Sequence, residues 1–455
     1  MQFSIDGRLA RRIASLSWPV ILAMITQTAV NQVDHILIGL LPTTEASAGQ
    51  AALGPSLVLL WAIGGFLSTV SVGTQALTAR RHGEGDALRA GQVLSNSLVV
   101  AITSAAVATV LGVIFVPSLF RAIISDPDVV HVGVPFVQLR IVGVFSMVVT
   151  MSYKSFFDGL TRTRVHMYAA LVMNLANAYF CYGLLFGKLG LPRLGIVGAG
   201  LAAVLSSWVG LAMVVLWSLR RKYVGKYHFY RLRRNLSWPV AREIIRLSLP
   251  SGLATLFVMS GFALFYKIVA KVGQPETVYA AATQNVVVIL MLVFTTCIAY
   301  GTATATLVSE SLGRQLPDLA ARYAWEAVKI GSLVMAGVGL AMFFFPTAIL
   351  RVYTHDLEVI RVATPALRMV ALAAPLIAAA LVFTQALFGA GNSRFVMYVE
   401  GTLHFFCLVP LAWLLGLKLG FGFLGVWSAA IAYVVLLTVV MGWKFFEGKW
   451  KTIRI

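Results

Sequence analysis

Residues 93–116, VLSNSLVVAITSAAVATVLGVIFV, run from Val93 to Val116 without one charged side chain. A helix needs roughly 20 predominantly apolar residues to cross the hydrocarbon core of a bilayer, and this stretch supplies them in one piece. Outward from it, runs of the same kind recur from Ile13 to Phe446, separated by short polar or basic breaks: 13–41, 53–79, 93–116, 132–157, 165–186, 196–219, 244–271, 278–308, 324–345, 362–388, 395–417 and 424–446. The alternation expected of spanning strands is absent, so the chain crosses as helices, which satisfy their own backbone in lipid. Composition agrees. The chain is 59% hydrophobic and 12% charged, with a mean hydropathy of +0.86, whereas a soluble domain carries roughly 25% charged residues. The fold class is an all-α membrane protein of about twelve transmembrane helices.

The formal charge of +19 would suggest nucleic acid in a soluble protein, but here the basic residues sit in the breaks between apolar runs. With the N-terminus placed in the cytoplasm, about 24 of the 36 basic residues face one side and about 7 the other, which by the positive-inside rule puts both termini in the cytoplasm. The expected location is the inner, cytoplasmic membrane of a bacterial-type cell, with lipids as surroundings and no nucleic-acid partner. The first run is too long for the core of a cleavable signal, and is expected to act as the insertion signal itself. Cys181, Cys297 and Cys407 fall within apolar runs, read as small core residues, and lack zinc spacing.

The sixth and seventh runs are separated by RRKYVGKYHFYRLRRN, Arg220 to Asn235, which holds no apolar run long enough to span. On either side of it the sequence repeats. Leu16-Ser17-Trp18-Pro19 answers Leu247-Ser248-Leu249-Pro250, and Gly73-Thr74 answers Gly301-Thr302. Pro117 answers Pro346, Asp126 answers Asp356, Gly159 answers Gly389, Arg164 answers Arg394, and Gly195 to Gly198 answers Gly422 to Gly425. The near-constant offset of about 230 residues marks a duplication. The expected division is therefore a six-helix lobe over 1–219, a basic cytoplasmic linker over 220–243, and a second six-helix lobe over 244–455. An even number of spans per half gives both halves the same orientation, the layout of a transporter that exposes a cavity to alternate sides.

These residues resemble the multidrug and toxic compound extrusion (MATE) transporters, within the superfamily that also holds polysaccharide and lipid II flippases. The likeness runs over nearly the whole chain. It rests on Pro19 through Val33-Asp34 to Gly39, on Gly73-Thr74 through Ala79-Arg80 to Gly83-Glu84-Gly85-Asp86, on Leu139-Arg140, on Gly159 to Arg164 and on Gly195 to Ala202. In the second half Leu307-Val308-Ser309-Glu310 through Gly313, and Gln385 through Leu387-Phe388-Gly389-Ala390-Gly391-Asn392-Ser393-Arg394, carry it. The resemblance implies a V-shaped pair of six-helix lobes with a central cavity. It also implies cation-coupled export of amphipathic, often cationic, small molecules by alternating access, with no cofactor beyond the coupling ion, H+ or Na+.

Acidic residues are scarce within the apolar runs, and a carboxylate at membrane depth is costly unless it is paired or works. Asp34 is the sharpest candidate. Pro19 lies about 22 Å below it along a helix rising ~1.5 Å per residue, which puts Asp34 in the outer half of its span. Pro19 removes a backbone hydrogen bond and bends the helix. The resemblance implies that an acid at this spacing binds the coupling ion while the first helix bends with its protonation. Asn174 and Asn177 in the fifth run share a face, from which amide oxygens can hold the Asp34 carboxyl or a sodium ion. Where some relatives place a second Asp and a Thr, this chain has Cys181 and Ala203. Fewer oxygen ligands weaken a sodium site, so protons are favoured. The purely structural role open to both asparagines is interhelical hydrogen bonding.

In the second half, Lys267 and Arg368 occupy spans where some relatives carry acids. Glu400 and His404, four residues apart on one face of the eleventh run, can bind a cationic substrate, pair with Lys267 or relay a proton. With Tyr266 they make the candidate substrate cavity: Tyr266, Lys267, Glu400 and His404. Arg140 and Arg368 are expected to snorkel from the outer ends of their helices, and Glu310 to form a solvated pair with Arg314 at a cytoplasmic end. Two rival functions leave different marks. A flippase for a lipid-linked saccharide predicts a strongly basic cavity and extra helices. An intramembrane enzyme predicts a nucleophile with its base, or a metal motif such as His-Glu-x-x-His. Neither mark is present in the sequence, nor is a Walker motif, so the expectation is a non-enzymatic antiporter acting as a monomer.

Overall fold

The computed structural model describes residues 5–41, 56, 59–123, 127–273 and 276–455. Asp126 of the repeat, and residues 53–55, 57 and 58 at the start of the second expected span, lie outside them. Among the described residues there is no strand. The long helices are α1 (Gly7–Gly39), then α2 in three pieces (a π turn Trp61–Gly65, Phe66–Ser68 and Val70–Gly83), α3 (Ala87–Ile123), α4 (Pro127–Gly159), α5 (Arg164–Phe186) and α6 (Gly195–Ser218). After the short helices Arg221–Tyr227 and Leu232–Asn235 come α7 (Trp238–Val269), α8 (Glu276–Gly313), α9 (Pro317–Phe344), α10 (Leu357–Gly389), α11 (Ser393–Lys418) and α12 (Gly422–Glu447). Eleven of these, all but α2, are long and apolar enough to cross a membrane. The helices overrun the apolar runs at many ends. α3, for instance, continues through Pro117 to Ile123, because a single missing N–H leaves the neighbouring turns of a long helix intact.

The repeat is visible in the packing. α4 packs against α2, α3 and α6, and α10 against α8, α9 and α12, while α5 pairs with α6 and α11 with α12. α4 and α10 are accordingly the most buried spans. Matching glycines hold these contacts close. A Cβ on Gly159 would lie 2.8 Å from Thr78 Cβ of α2, and one on Gly389 would lie 2.3 Å from the Ala305 carbonyl of α8. A Cβ on Gly198 would stand 2.7 Å from the Leu184 carbonyl of α5, and one on Gly425 2.6 Å from the Leu415 carbonyl of α11. The repeated glycines are therefore contact points where backbone lies against neighbouring helix, as small residues serve in membrane bundles.

By contacts the chain forms two compact units, Pro19–Gly252 and Met1–Trp18 with Leu253–Ile455. The linear division 1–219, 220–243, 244–455 describes the repeat; this one describes packing. α1 changes unit at Pro19, and α7 changes unit two residues after Pro250. The segment before Pro19 is fastened within its own unit. Asp6 caps α1 by accepting the backbone N–H of Arg8 at 3.0 Å and of Leu9 at 3.4 Å, and its carboxylate meets Arg322 at 2.9 Å. Those N–H groups, then the guanidinium, hold its carboxyl below the usual aspartate value. Arg12 reaches Glu310 at 2.8 Å, and Arg314 reaches the same carboxylate at 2.5 Å. Glu310 is 3% exposed, which corrects the expected solvated pair: the second arginine comes from α1, a partner that sequence neighbourhood could not reveal.

Candidate ion-coupling site

In the unit Pro19–Gly252, the outer part of α1 lies beside α5. Thr26 Oγ1 accepts a hydrogen bond from Asn174 Nδ2 at 3.0 Å. Two turns further along both helices, the Cys181 thiol donates to the Asp34 carboxyl. Asn177 stands between Asn174 and Cys181 on the same helical face. The two contacts fix the register, so that α1 and α5 run in the same direction along this stretch.

The remaining hydrogen-bonding capacity of this face is open. Asp34 Oδ1, Asn174 Oδ1 and Asn177 Oδ1 are each buried and without a hydrogen-bond partner among the described residues. Buried polar atoms are nearly always satisfied, and three unsatisfied acceptors on facing helices form a donor set suited to a proton on the carboxyl or to a hard cation held by oxygens. Asp34, Asn174 and Asn177 are thus brought into one region. Arg140 of α4 lies close enough for its charge to act on Asp34, and it is half-buried with its guanidinium 5.7 Å from the Phe136 ring centre. Arg140, expected to snorkel, thus also lies where its charge acts on Asp34. Cys181, read as a small core residue, supplies a thiol hydrogen bond instead. No spacing signal joins residues 34, 140 and 181, because three separate helices bring them together.

The second candidate set does not assemble as expected. Tyr266 donates to Gln284 Oε1 at 3.1 Å, and Lys267 is exposed, with no ion pair to Glu400 among the described residues. His404 lies against Gly261 of α7 and Gly401 against Phe257, and Lys267 is about 9 Å beyond Gly261 along that helix at ~1.5 Å per residue. The partner of Glu400 is Tyr433 of α12, which sequence reasoning did not single out. Among the described residues no group of three or more His, Cys, Asp and Glu side chains could hold a metal ion.

A duplicated all-α membrane fold with a lone carboxyl set among unsatisfied amide oxygens defines the class. The MatE family model matches residues 19–183 and again 250–414, the two halves of the repeat. The chain belongs to the MatE family. Among curated relatives, the probable multidrug resistance protein NorM of Rhizobium meliloti (strain 1021) is 25% identical over 452 residues, covering 95% of this chain and 92% of its own. Its counterpart from Thermotoga maritima is 23% identical over 411 residues, covering 88% and 85%. A solved outward-facing conformation of a multidrug resistance MATE family transporter of the MOP superfamily superposes with a TM-score of 0.90 at 20% identity, over 98% of this chain and 97% of its own. At that identity the likeness speaks for the fold.

Proposed function

We propose that this protein is a multidrug efflux transporter that exchanges amphipathic cationic small molecules for protons across the inner membrane, with both termini in the cytoplasm. The observation that carries the proposal is Asp34: a carboxyl at membrane depth whose Oδ1 is buried and unpartnered among the described residues, on a helix that contains Pro19. Asp34 takes up a proton when the site faces one side and yields it when the site faces the other. Its charge state biases the bend at Pro19, and Arg140 lies where its charge acts on the carboxyl. Asn174 and Asn177 orient the carboxyl. Cys181 favours the proton over sodium, because a thiol gives a hydrogen bond where a carboxylate would give a second anionic ligand. The protein acts as a monomer, and the repeated halves carry alternating access.

The test is export of a fluorescent organic cation from vesicles holding the purified chain, with proton and sodium gradients imposed separately. A proton gradient alone is expected to drive accumulation against the concentration gradient, and a collapsed proton gradient to stop it. Accumulation driven by sodium alone overturns the choice of ion. Accumulation driven by neither overturns antiport.

A further inference from the structure

A second polar cluster lies in the unit formed by Met1–Trp18 and Leu253–Ile455, and the N-terminal scheme makes no use of it. Glu400 is 7% exposed and His404 is 0% exposed. The Tyr433 hydroxyl of α12 donates to Glu400 Oε2 at 2.8 Å. His404 Nδ1 donates to the Glu400 backbone carbonyl at 2.8 Å, and lies 3.5 Å from Glu400 Oε2. In the neutral ring that bond puts the hydrogen on Nδ1 and leaves Nε2 an acceptor. Nε2 is buried with no hydrogen-bond partner among the described residues.

The backbone is shaped around this imidazole. α11 widens into a π turn over His404–Leu408, starting at His404 itself, and π turns inside α-helices are frequent at functional sites. On α7 only a glycine fits opposite, since a Cβ on Gly261 would stand 2.5 Å from His404 Cδ2. The Tyr433 ring centre is 4.5 Å from that of His404. The repeat adds an independent pointer. The offset that sets Arg164 on Arg394 sets Asn174 on His404 and Ala170 on Glu400, so the cluster occupies the rung of α11 that the N-terminal site occupies on α5.

From this geometry we propose that Glu400, positioned by Tyr433 and His404, is a second proton-binding site of the transport cycle, housed in the C-terminal half. The proposal rests on the antiporter reading above. Tyr433 is the titratable group of another helix that acts on Glu400 among the described residues. On its own helix His404 lies beside it and Cys407 acts on Tyr433, while α7 presents Gly261 and Phe262 to His404. With no lysine or arginine paired to it among the described residues, an ionised Glu400 beside a neutral His404 is costly at this depth, so it holds its proton while enclosed and exchanges it when water reaches Nε2 of His404. The step is protonation alone. A proton from water forms an O–H bond on a Glu400 carboxyl oxygen, and on release that bond breaks and the proton returns to water.

Infrared difference spectra of the full-length protein in lipid, taken over a series of pH values from acid to alkaline, test it directly. Wild type is expected to show two titrating carboxyl bands, one lost in Asp34→Asn and the other in Glu400→Gln. Tyr433→Phe keeps the second band but moves its frequency, because a hydrogen bond at that carboxyl is gone. A Glu400→Gln spectrum identical to wild type overturns the proposal. If that variant does not fold, a Tyr433→Phe spectrum with both bands unmoved overturns it instead. The readout needs no transport. A titrating Glu400 band without gradient-driven export supports the proton site and removes the antiporter reading, whereas proton-driven export without the band removes only this site.

Discussion

α5 and α11 hold equivalent places in the two halves and have been built differently. α5 is an unbroken α-helix from Arg164 to Phe186 whose inner face carries two amides and a thiol, Asn174, Asn177 and Cys181, and the carboxyl they serve belongs to α1. α11 carries its own carboxyl and imidazole, and its backbone opens twice, at His404–Leu408 and Leu414–Lys418, on either side of the segment containing Pro410. Pro410, which has no N–H to give and crowds the preceding turn, lies between the two widened turns. Duplication thus preserved the packing, through Gly159 and Gly389 or Gly198 and Gly425, while the polar chemistry on the paired helices diverged. Packing tolerates only small residues at a contact, whereas an inward polar face can change as long as its groups find partners.

The sharpest break between the halves is expected from Asp34→Asn. The amide is near-isosteric, so the protein should insert and fold, while export driven by a proton gradient falls to the level of empty vesicles; full export by this variant ends the N-terminal coupling scheme. Next in size are Gly389→Ala and Gly159→Ala, which probe what the halves share. Overpacking of this kind costs about 1–3 kcal/mol. Gly389→Ala should stand toward the upper end, because it drives a methyl onto the Ala305 carbonyl at 2.3 Å, while Gly159→Ala meets a side-chain carbon at 2.8 Å. Thermal unfolding midpoints in detergent rank them, and an unchanged midpoint for Gly389→Ala would deny the close contact. Smallest is Asn174→Ala, which deletes the bond to Thr26; hydrogen bonds between membrane helices average about 0.6 kcal/mol. Stability should fall by that little while export drops disproportionately. Normal export with a comparable loss of stability would make the α5 amides interhelical glue.

Much of the fold was legible beforehand because hydrophobic length and repeat spacing are local, one-dimensional signals. The runs named from the sequence each contain or overlap a described helix, and the paired glycines fall at matching contacts. Asp34 was legible for a similar reason: a lone acid in an apolar run stands out by composition. Its surroundings were not. Cys181 and Arg140 look like ordinary members of their own helices, and only the packing of the unit brings them near the carboxyl. Tyr433 is likewise one aromatic among many, distinguished solely by the oxygen it reaches.

The amino-acid order by itself determined that the chain lives in a membrane, that it crosses as helices, and that its second half repeats its first, since each of these follows from hydrophobicity and spacing along one strand of residues. Tertiary structure decided which polar groups share a site. It separated Glu400 and His404 from Lys267, set them with Tyr433, and gave Glu310 its second arginine. Side-chain partnership depends on how helices far apart in sequence rotate and cross, and no linear pattern encodes that angle.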